Sequence, residues 1–139
     1  MIKEDFCYPK EEMDKLIVKN DTIQAAIWTD NYSPSVCYDF YTEPAKKYDE
    51  SDEDRLYYKC ARIRIKDTEY KTIVSAIINV EYPLDEAQAL INNYAQVIKS
   101  VTEVSEEKIT EYTNEWKAFQ ELREKAKAIG KLLTNTTEE

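Results

Sequence analysis

Hydrophobic positions in the last part of the chain recur with helical spacing. One stripe comprises Leu84, Ala87, Leu90, Ile91, Tyr94, Val97, Ile98 and Val101, and a second comprises Ile109, Tyr112, Trp116, Phe119, Leu122, Ala126, Ile129 and Leu133. Spacing of i, i+3, i+4 and i+7 is typical of one buried helical face. The polar connection at 102–105 is short, so the pattern predicts an antiparallel αα-hairpin over residues 84–133.

The residues before each stripe suit the start of a helix. Pro83 precedes the first stripe, and Asp85 lies in its first turn, where unpaired N–H groups favour negative charge. Ser105 is placed to cap the second helix, ahead of Glu106.

Residues before position 83 change to a period of two and are rich in β-branched and aromatic side chains. This pattern predicts strands at 22–29, 36–42, 57–66 and 70–82, of which the last two form a hairpin through a turn at 66–69. Residues 9–13 indicate a short helical turn, followed by a strand near 16–18, and residues 43–54 indicate a long acidic surface loop.

These elements predict an α+β fold in which an antiparallel β-sheet of about four strands is followed by a C-terminal antiparallel αα-hairpin. No repeat or linker divides the chain, so we expect one domain over 1–139. Within it, 1–83 are mainly β-sheet, 84–133 form the helical hairpin and 134–139 form an acidic tail.

Composition narrows the function by exclusion. The 139 residues include 28 acidic and 19 basic side chains, no histidine and one glycine, for a net charge of −9. Without histidine there is no imidazole base and no His-ligated zinc, and without glycine-rich turns there is no phosphate-cradling loop. Paired carboxylates remain, but no pair is marked out by its setting. We therefore expect no enzyme, no catalytic residue and no cofactor.

Charge and hydropathy also bear on partners and location. A net charge of −9 opposes direct binding to nucleic acid, which draws on Lys and Arg to displace counterions. No apolar stretch has the length of a signal peptide or a membrane span. Three widely spaced cysteines indicate reduced thiols. These features predict a cytoplasmic protein that does not enter membranes.

The densest charge run, at 49–54, contains alternating oxygen donors such as Asp49, Ser51 and Glu53. Such donors can wrap a hard cation. The run lacks the glycine and the distal glutamate of an EF-hand loop, so we interpret it as a solvated loop and expect no metal site.

Two arginines and several aromatic residues are candidates for an interaction site. Arg62 and Arg64 share one face of a predicted strand, where they can hold an anion or pair with acids such as Glu69 or Glu81. Adjacent residues on a strand point to opposite faces, so one of Tyr57 and Tyr58, and one of Phe40 and Tyr41, meets solvent or a partner. We take Tyr41 and Tyr58 as the candidates for contact with a partner, with plain sheet surface as the alternative. Tyr112, Trp116 and Phe119 form a stripe that is either the helical core or an interface with a second subunit.

The run EYTNEWKAFQELREKAKA at 111–128, which follows a first helix ending in NNYA at 92–95, resembles small uncharacterised proteins of tailed phages of gut bacteria. The resemblance covers about the last third of the chain and contains no catalytic motif. It implies a phage-encoded accessory or virion-associated protein that works by assembly, in the host cytoplasm or in the virion.

Our leading hypothesis is a non-enzymatic protein–protein interaction or assembly protein that self-associates through its sheet face or its helices. A second hypothesis is a small-ligand or nucleotide-binding module in which Arg62 and Arg64 hold an anionic aromatic molecule. A third is an acidic inhibitor of a host nucleic-acid-binding protein, because clustered carboxylates imitate phosphates.

Overall fold

The computed structural model describes residues 2–44, 56–99 and 104–135. In these ranges the elements are, in chain order, β1 (Lys3–Pro9), α1 (Lys10–Asp14), β2 (Val18–Lys19), β3 (Gln24–Thr29), β4 (Pro34–Pro44), β5 (Leu56–Arg64), α2 (Tyr70–Glu81), α3 (Leu84–Lys99) and α4 (Glu106–Thr134). The predicted α+β class is confirmed. The acidic run at 49–54 and the tail at 136–139 lie outside the described residues.

The five strands form one antiparallel sheet in the order β1-β5-β4-β3-β2. The sequence predicted about four strands and missed β1, which pairs with β5 from Lys3 opposite Ile63 to Pro9 opposite Tyr57. The helical turn at α1 and the short strand β2 were both predicted. Because β1 joins the edge formed by a strand far along the chain, only the tertiary fold gives it a partner.

The predicted strand at 70–82 is wrong, because these residues form α2. The run is rich in β-branched residues, which suggested a strand. It also has helical spacing: Ile73, Ala76 and Ile77 are the residues that α2 buries. Burial of this face against the sheet outweighs the small intrinsic preference of isoleucine and valine for a strand.

The main core lies between the sheet and the pair α2 and α4. Its residues come from β3, β4, β5, α2 and α4, with one residue directly after β5, and most are alanine, valine or isoleucine. They are Ala25, Val36, Tyr38, Ile63, Ile65, Ile73, Ala76, Ile77, Ala126 and Ile129. The two helices come close at Gly130, where an added Cβ would lie 2.8 Å from Cγ2 of Val74 and 3.0 Å from the ring of Tyr70. The single glycine of the chain therefore sets the spacing of α2 and α4.

A bulge in β4 shifts the alternation of its side chains between the two faces of the sheet. Tyr38 lies opposite Ala61 and Tyr41 opposite Lys59, so β4 contains one extra residue between them. Asp39 takes up the irregularity with φ of 58°, in the left-handed region that aspartate tolerates better than most residues. As a result Cys37 and Phe40, three positions apart, pack in the same cluster on the side of the sheet away from α2 and α4.

Candidate functional site

Arg62 lies in the middle of the face of the sheet away from α2 and α4 and is 8% exposed. Its Nη2 donates to Oε2 of Glu4 at 3.0 Å, and its Cζ lies 4.4 Å from the ring centroid of Phe6 and 5.3 Å from that of Trp28. The register explains this contact, since Arg62 faces Glu4 across β1 and β5. A buried guanidinium needs a carboxylate and aromatic faces to replace water. Arg62 is therefore an internal anchor of the sheet.

Arg64 lies on the same side of β5 and pairs with Asp30, in the turn between β3 and β4. Oδ1 of Asp30 accepts the backbone N–H groups of Tyr32 at 2.8 Å and Ser33 at 2.9 Å. These two backbone hydrogen bonds, together with Arg64, lower the pKa of Asp30 to about 2. The acidic partners of the two arginines are thus Glu4 and Asp30, whereas Glu81, one of the suggested partners, pairs with Lys3.

Of three half-buried aromatic rings packed together on this face, Phe6 and Trp28 contact Arg62 and Tyr8 contacts the other two rings. The Phe6 centroid lies 4.7 Å from that of Trp28 and 5.7 Å from that of Tyr8, and Tyr8 meets Trp28 edge-on at 5.8 Å. No motif in the sequence singled out these rings. The alternation of Glu4, Phe6 and Tyr8 is the pattern that could have indicated a strand with this face.

Tyr58 and Tyr41 have different surroundings. The Tyr58 hydroxyl donates to Oδ1 of Asp14 at 3.0 Å, and its ring meets Phe40 edge-on at 5.6 Å, so Tyr58 ties α1 to the sheet. Tyr41 is 52% exposed and its hydroxyl interacts with Lys59. Of the two, Tyr41 has the surface available to a partner.

The two buried thiols on this face, Cys37 and Cys60, share a hydrogen bond, which lowers the pKa of the Cys60 thiol. Cys37 and Cys60 are buried free cysteines in one cluster, and Cys7 is a third, half-buried free thiol. The hydrogen bond to Cys60, together with burial, raises the pKa of the Cys37 thiol. A protonated thiol is a weak nucleophile, so Cys37 acts as a small apolar core residue.

The aromatic stripe of α4 forms the contact with α3. The ring of Trp116 stacks on Tyr94 with 4.7 Å between centroids and 7° between planes. Phe119 is 6% exposed and meets Tyr82 edge-on at 4.9 Å. Tyr112 lies one turn before Trp116, half-buried, with Nζ of Lys108 5.6 Å from its ring centroid. Trp116 therefore packs on α3, and Phe119 packs on Tyr82, the residue that ends α2.

The apolar stripe predicted for α3 is only partly covered. Among its 16 residues Leu90 is the buried one. Leu84 is 79% exposed, Ile91 40% and Ile98 65%, and these three recur every seven residues. We call Leu84, Ile91 and Ile98 the open row. Their spacing predicted a buried face, which is wrong for these three residues, because periodicity identifies the apolar side of a helix but not whether anything covers it.

The open row is separate from the main core. Among the described residues, the cluster between the sheet and the helices takes none from α3 and, from α4, residues from Leu122 onward. The ring contact of α3 with α4 instead occurs nearer the start of α4, where Trp116 stacks on Tyr94. Helix α3 thus exposes large aliphatic side chains that do not belong to the main core. Contiguous exposed apolar surface is typical of sites that bind another protein.

A cavity of about 300 Å³ opens beside the bulge of β4. Its lining consists of Thr22, Ile23, Gln24, Tyr38, Asp39, Phe40, Lys125 and Ile129. Nζ of Lys125 pairs with Oδ1 of Asp39 at 2.8 Å and lies 5.2 Å from the Tyr38 ring centroid. The cation that lines the cavity is therefore already neutralised by a neighbour on its rim.

The described residues contain no group of three or more His, Cys, Asp or Glu side chains that could hold a metal ion. The acidic run considered for a cation, at 49–54, lies outside those residues. Of the helices whose placement is described, none combines the length and apolar character needed to cross a membrane.

Comparison with known proteins gives no match: no family model, no curated protein and no solved structure is similar to this chain. The surfaces described above therefore have to be interpreted from their own chemistry.

Proposed function

We propose that this chain is a non-enzymatic interaction protein that works by assembly through α3. The observation that carries the proposal is the open row, three large aliphatic side chains at heptad spacing on a helix that is otherwise bound to α4. Heptad-spaced Leu and Ile are the residues that pack one helix against another. Covering them removes apolar surface from water at about 25 cal/mol per Å².

The chemistry of the other candidate residues supports the same choice. Arg62 and Arg64 are held by Glu4 and Asp30, so an anionic ligand would first have to displace a carboxylate. Tyr58, Trp116 and Phe119 make internal contacts. Among these candidates, Tyr41 keeps an exposed aromatic ring, a smaller surface than the aliphatic open row. The resemblance of the last third to phage proteins adds the proposal that the assembly belongs to a virion or to the infected cell.

Sedimentation velocity of the full chain, from micromolar to millimolar concentration, tests the proposal. We expect the average sedimentation coefficient to rise with concentration, and Ile91→Asp to abolish that rise because it places a charge in the apolar contact. The matched control is Ala89→Asp, which adds the same charge at an exposed position about 200° further round the same helix. A protein that sediments as a monomer throughout, with no effect of Ile91→Asp, contradicts the proposal.

A further inference from the structure

The open row has a large aliphatic residue at the same distance on each side of Ile91. Leu84 and Ile98 lie seven residues before and after Ile91. With a rise of 1.5 Å per residue, each is about 10 Å from Ile91 along the helix axis. Two copies of α3 that run antiparallel therefore bring Ile91 against Ile91 and Leu84 against Ile98.

A polar row lies next to the open row, and its two ends carry opposite charges. Asp85, Asn92 and Lys99 are exposed, follow the open row by one residue, and form a sequence of acid, neutral amide and base. Asp85 and Lys99 have no ion-pair partner within the described residues. Each also matches the charge that its end of the helix favours.

The two-fold axis that relates antiparallel helices keeps this polar row on the same side of both copies. Asp85 of one copy then lies within about 3 Å, along the axis, of the level of Lys99 of the other. Asn92 lies about 3 Å, along the axis, from the level of the other copy's Asn92. In a parallel pair the two-fold axis runs along the helices and places the two polar rows on opposite sides of the contact, so Asp85 and Lys99 of different copies do not pair.

We propose that the partner of α3 is a second copy of this chain, with the two α3 helices antiparallel about a two-fold axis near Ile91. This inference rests on the proposed function and specifies its partner. Leu84 and Ile98 supply the apolar contact, and Asp85 and Lys99 select the antiparallel orientation. A contact of this kind is isologous, so it closes at two subunits.

The surface that α3 offers to a second copy is small. The 16 residues of α3 extend about 24 Å, which gives less than the roughly 800 Å² per partner of a standard stable interface. We expect a reversible dimer that dissociates on dilution.

Thiol cross-linking reads out the orientation directly. In a Cys7→Ser background, which removes the half-buried native thiol, Ile91→Cys places two thiols at the axis, and we expect oxidation by copper phenanthroline to give a disulfide-linked dimer. Leu84→Cys alone should not cross-link, because its two copies are about 20 Å apart. Leu84→Cys mixed with Ile98→Cys should cross-link, and Ala89→Cys is the exposed control.

Charge exchange provides a second, independent readout. Lys99→Glu and Asp85→Lys should each raise the dimer dissociation constant about 3- to 10-fold, the effect of two exposed ion pairs replaced by repulsion. The double variant Asp85→Lys/Lys99→Glu should restore dimerisation, since it exchanges the two charges. Circular dichroism at low concentration checks that each variant keeps its helices.

The outcomes separate this inference from the proposed function. Concentration-dependent sedimentation together with self-cross-linking of Leu84→Cys, or failure of the charge exchange to restore binding, leaves assembly through α3 intact and overturns the antiparallel pairing. Sedimentation as a monomer at every concentration overturns both. Cross-linking of Ile91→Cys and of the Leu84→Cys and Ile98→Cys mixture, with restoration by the double variant, supports both.

Discussion

The guanidinium of Arg62 lies against the ring of Phe6, with 4.4 Å between Cζ and the ring centroid. Trp28 lies near the same group, and Glu4 supplies the counter-charge. This arrangement joins β1 to β5 and, through Trp28, to β3. On the sheet, β1 does not lie beside β2, the strand that follows it in the chain. Arg62 thus connects β1, β3 and β5 on the face of the sheet against which α1 packs.

Arg62→Ala should lower the free energy of unfolding by about 2 to 3 kcal/mol, because it removes desolvated cation–π contacts and leaves a cavity between two rings. Arg64→Ala is the matched control. Arg64 lies on the same side of the same strand but is more exposed, so its loss should cost less than about 1 kcal/mol. Urea denaturation followed by tryptophan fluorescence measures both. Equal costs would show that Arg62 is not an anchor.

Gly130→Ala should destabilise the protein by about 1 to 2 kcal/mol, although alanine is the better helix former by about 1 kcal/mol. The new Cβ would lie 2.8 Å from Cγ2 of Val74, and a β-branched side chain has few rotamers with which to move away. Thermal or urea denaturation gives the value.

A double-mutant cycle identifies the cause. In a Val74→Ala background the penalty of Gly130→Ala should shrink or reverse, because the crowding atom is gone. At the exposed position Ala118, Ala118→Gly should cost about 1 kcal/mol from helix propensity alone. A stabilising Gly130→Ala in the native background would mean that α2 and α4 are not in close contact there.

Asp30 should make stability depend on pH in the acid range. Its pKa is lowered from 3.8 to about 2 in the folded state by the backbone N–H groups of Ser33 and Tyr32 and by Arg64. A depressed folded-state pKa gives stability that is present above the unfolded value and is lost as pH falls through the folded value.

Asp30→Asn isolates this charge, since the amide oxygen can still accept the two backbone N–H groups. The difference in free energy of unfolding between native protein and variant should be constant above pH about 5 and should shrink as pH falls from about 4 towards 2. Urea denaturation across this range provides the measurement. A difference that does not change with pH would contradict the role of Asp30 as a stabilising carboxylate.

Trp116→Ala should loosen α3 without unfolding the sheet. Its stacking on Tyr94 is the contact that holds the middle of α3, and an aromatic pair contributes about 0.5 to 1.5 kcal/mol beyond its buried area. We expect hydrogen exchange of α3 amides to accelerate about tenfold or more, while amides of β4 and β5 keep their protection. Uniform acceleration across the chain would show that α3 does not open separately from the rest.

The sequence determined the elements whose pattern is strong and local. Both long C-terminal helices, the cap at Ser105 and the strands around 24–29, 34–44 and 56–64 follow from periodicity and from residues that suit helix ends. Ser105 illustrates this, since its hydroxyl accepts the N–H of Lys108 as its position before Glu106 predicted. Such features depend on neighbours within a few residues, which the sequence contains explicitly.

The tertiary structure decided which faces are covered and which charges meet. The run at 70–81 became a helix because its apolar face is buried against the sheet. Strand β1 pairs with a strand whose residues lie 48 to 60 positions further along the chain. Arg64 pairs with Asp30 instead of an acid near it in sequence. Leu84 and Leu90 belong to one apolar stripe, yet one is 79% exposed and the other 9%. Periodicity is a property of one helix, whereas burial depends on what packs against it.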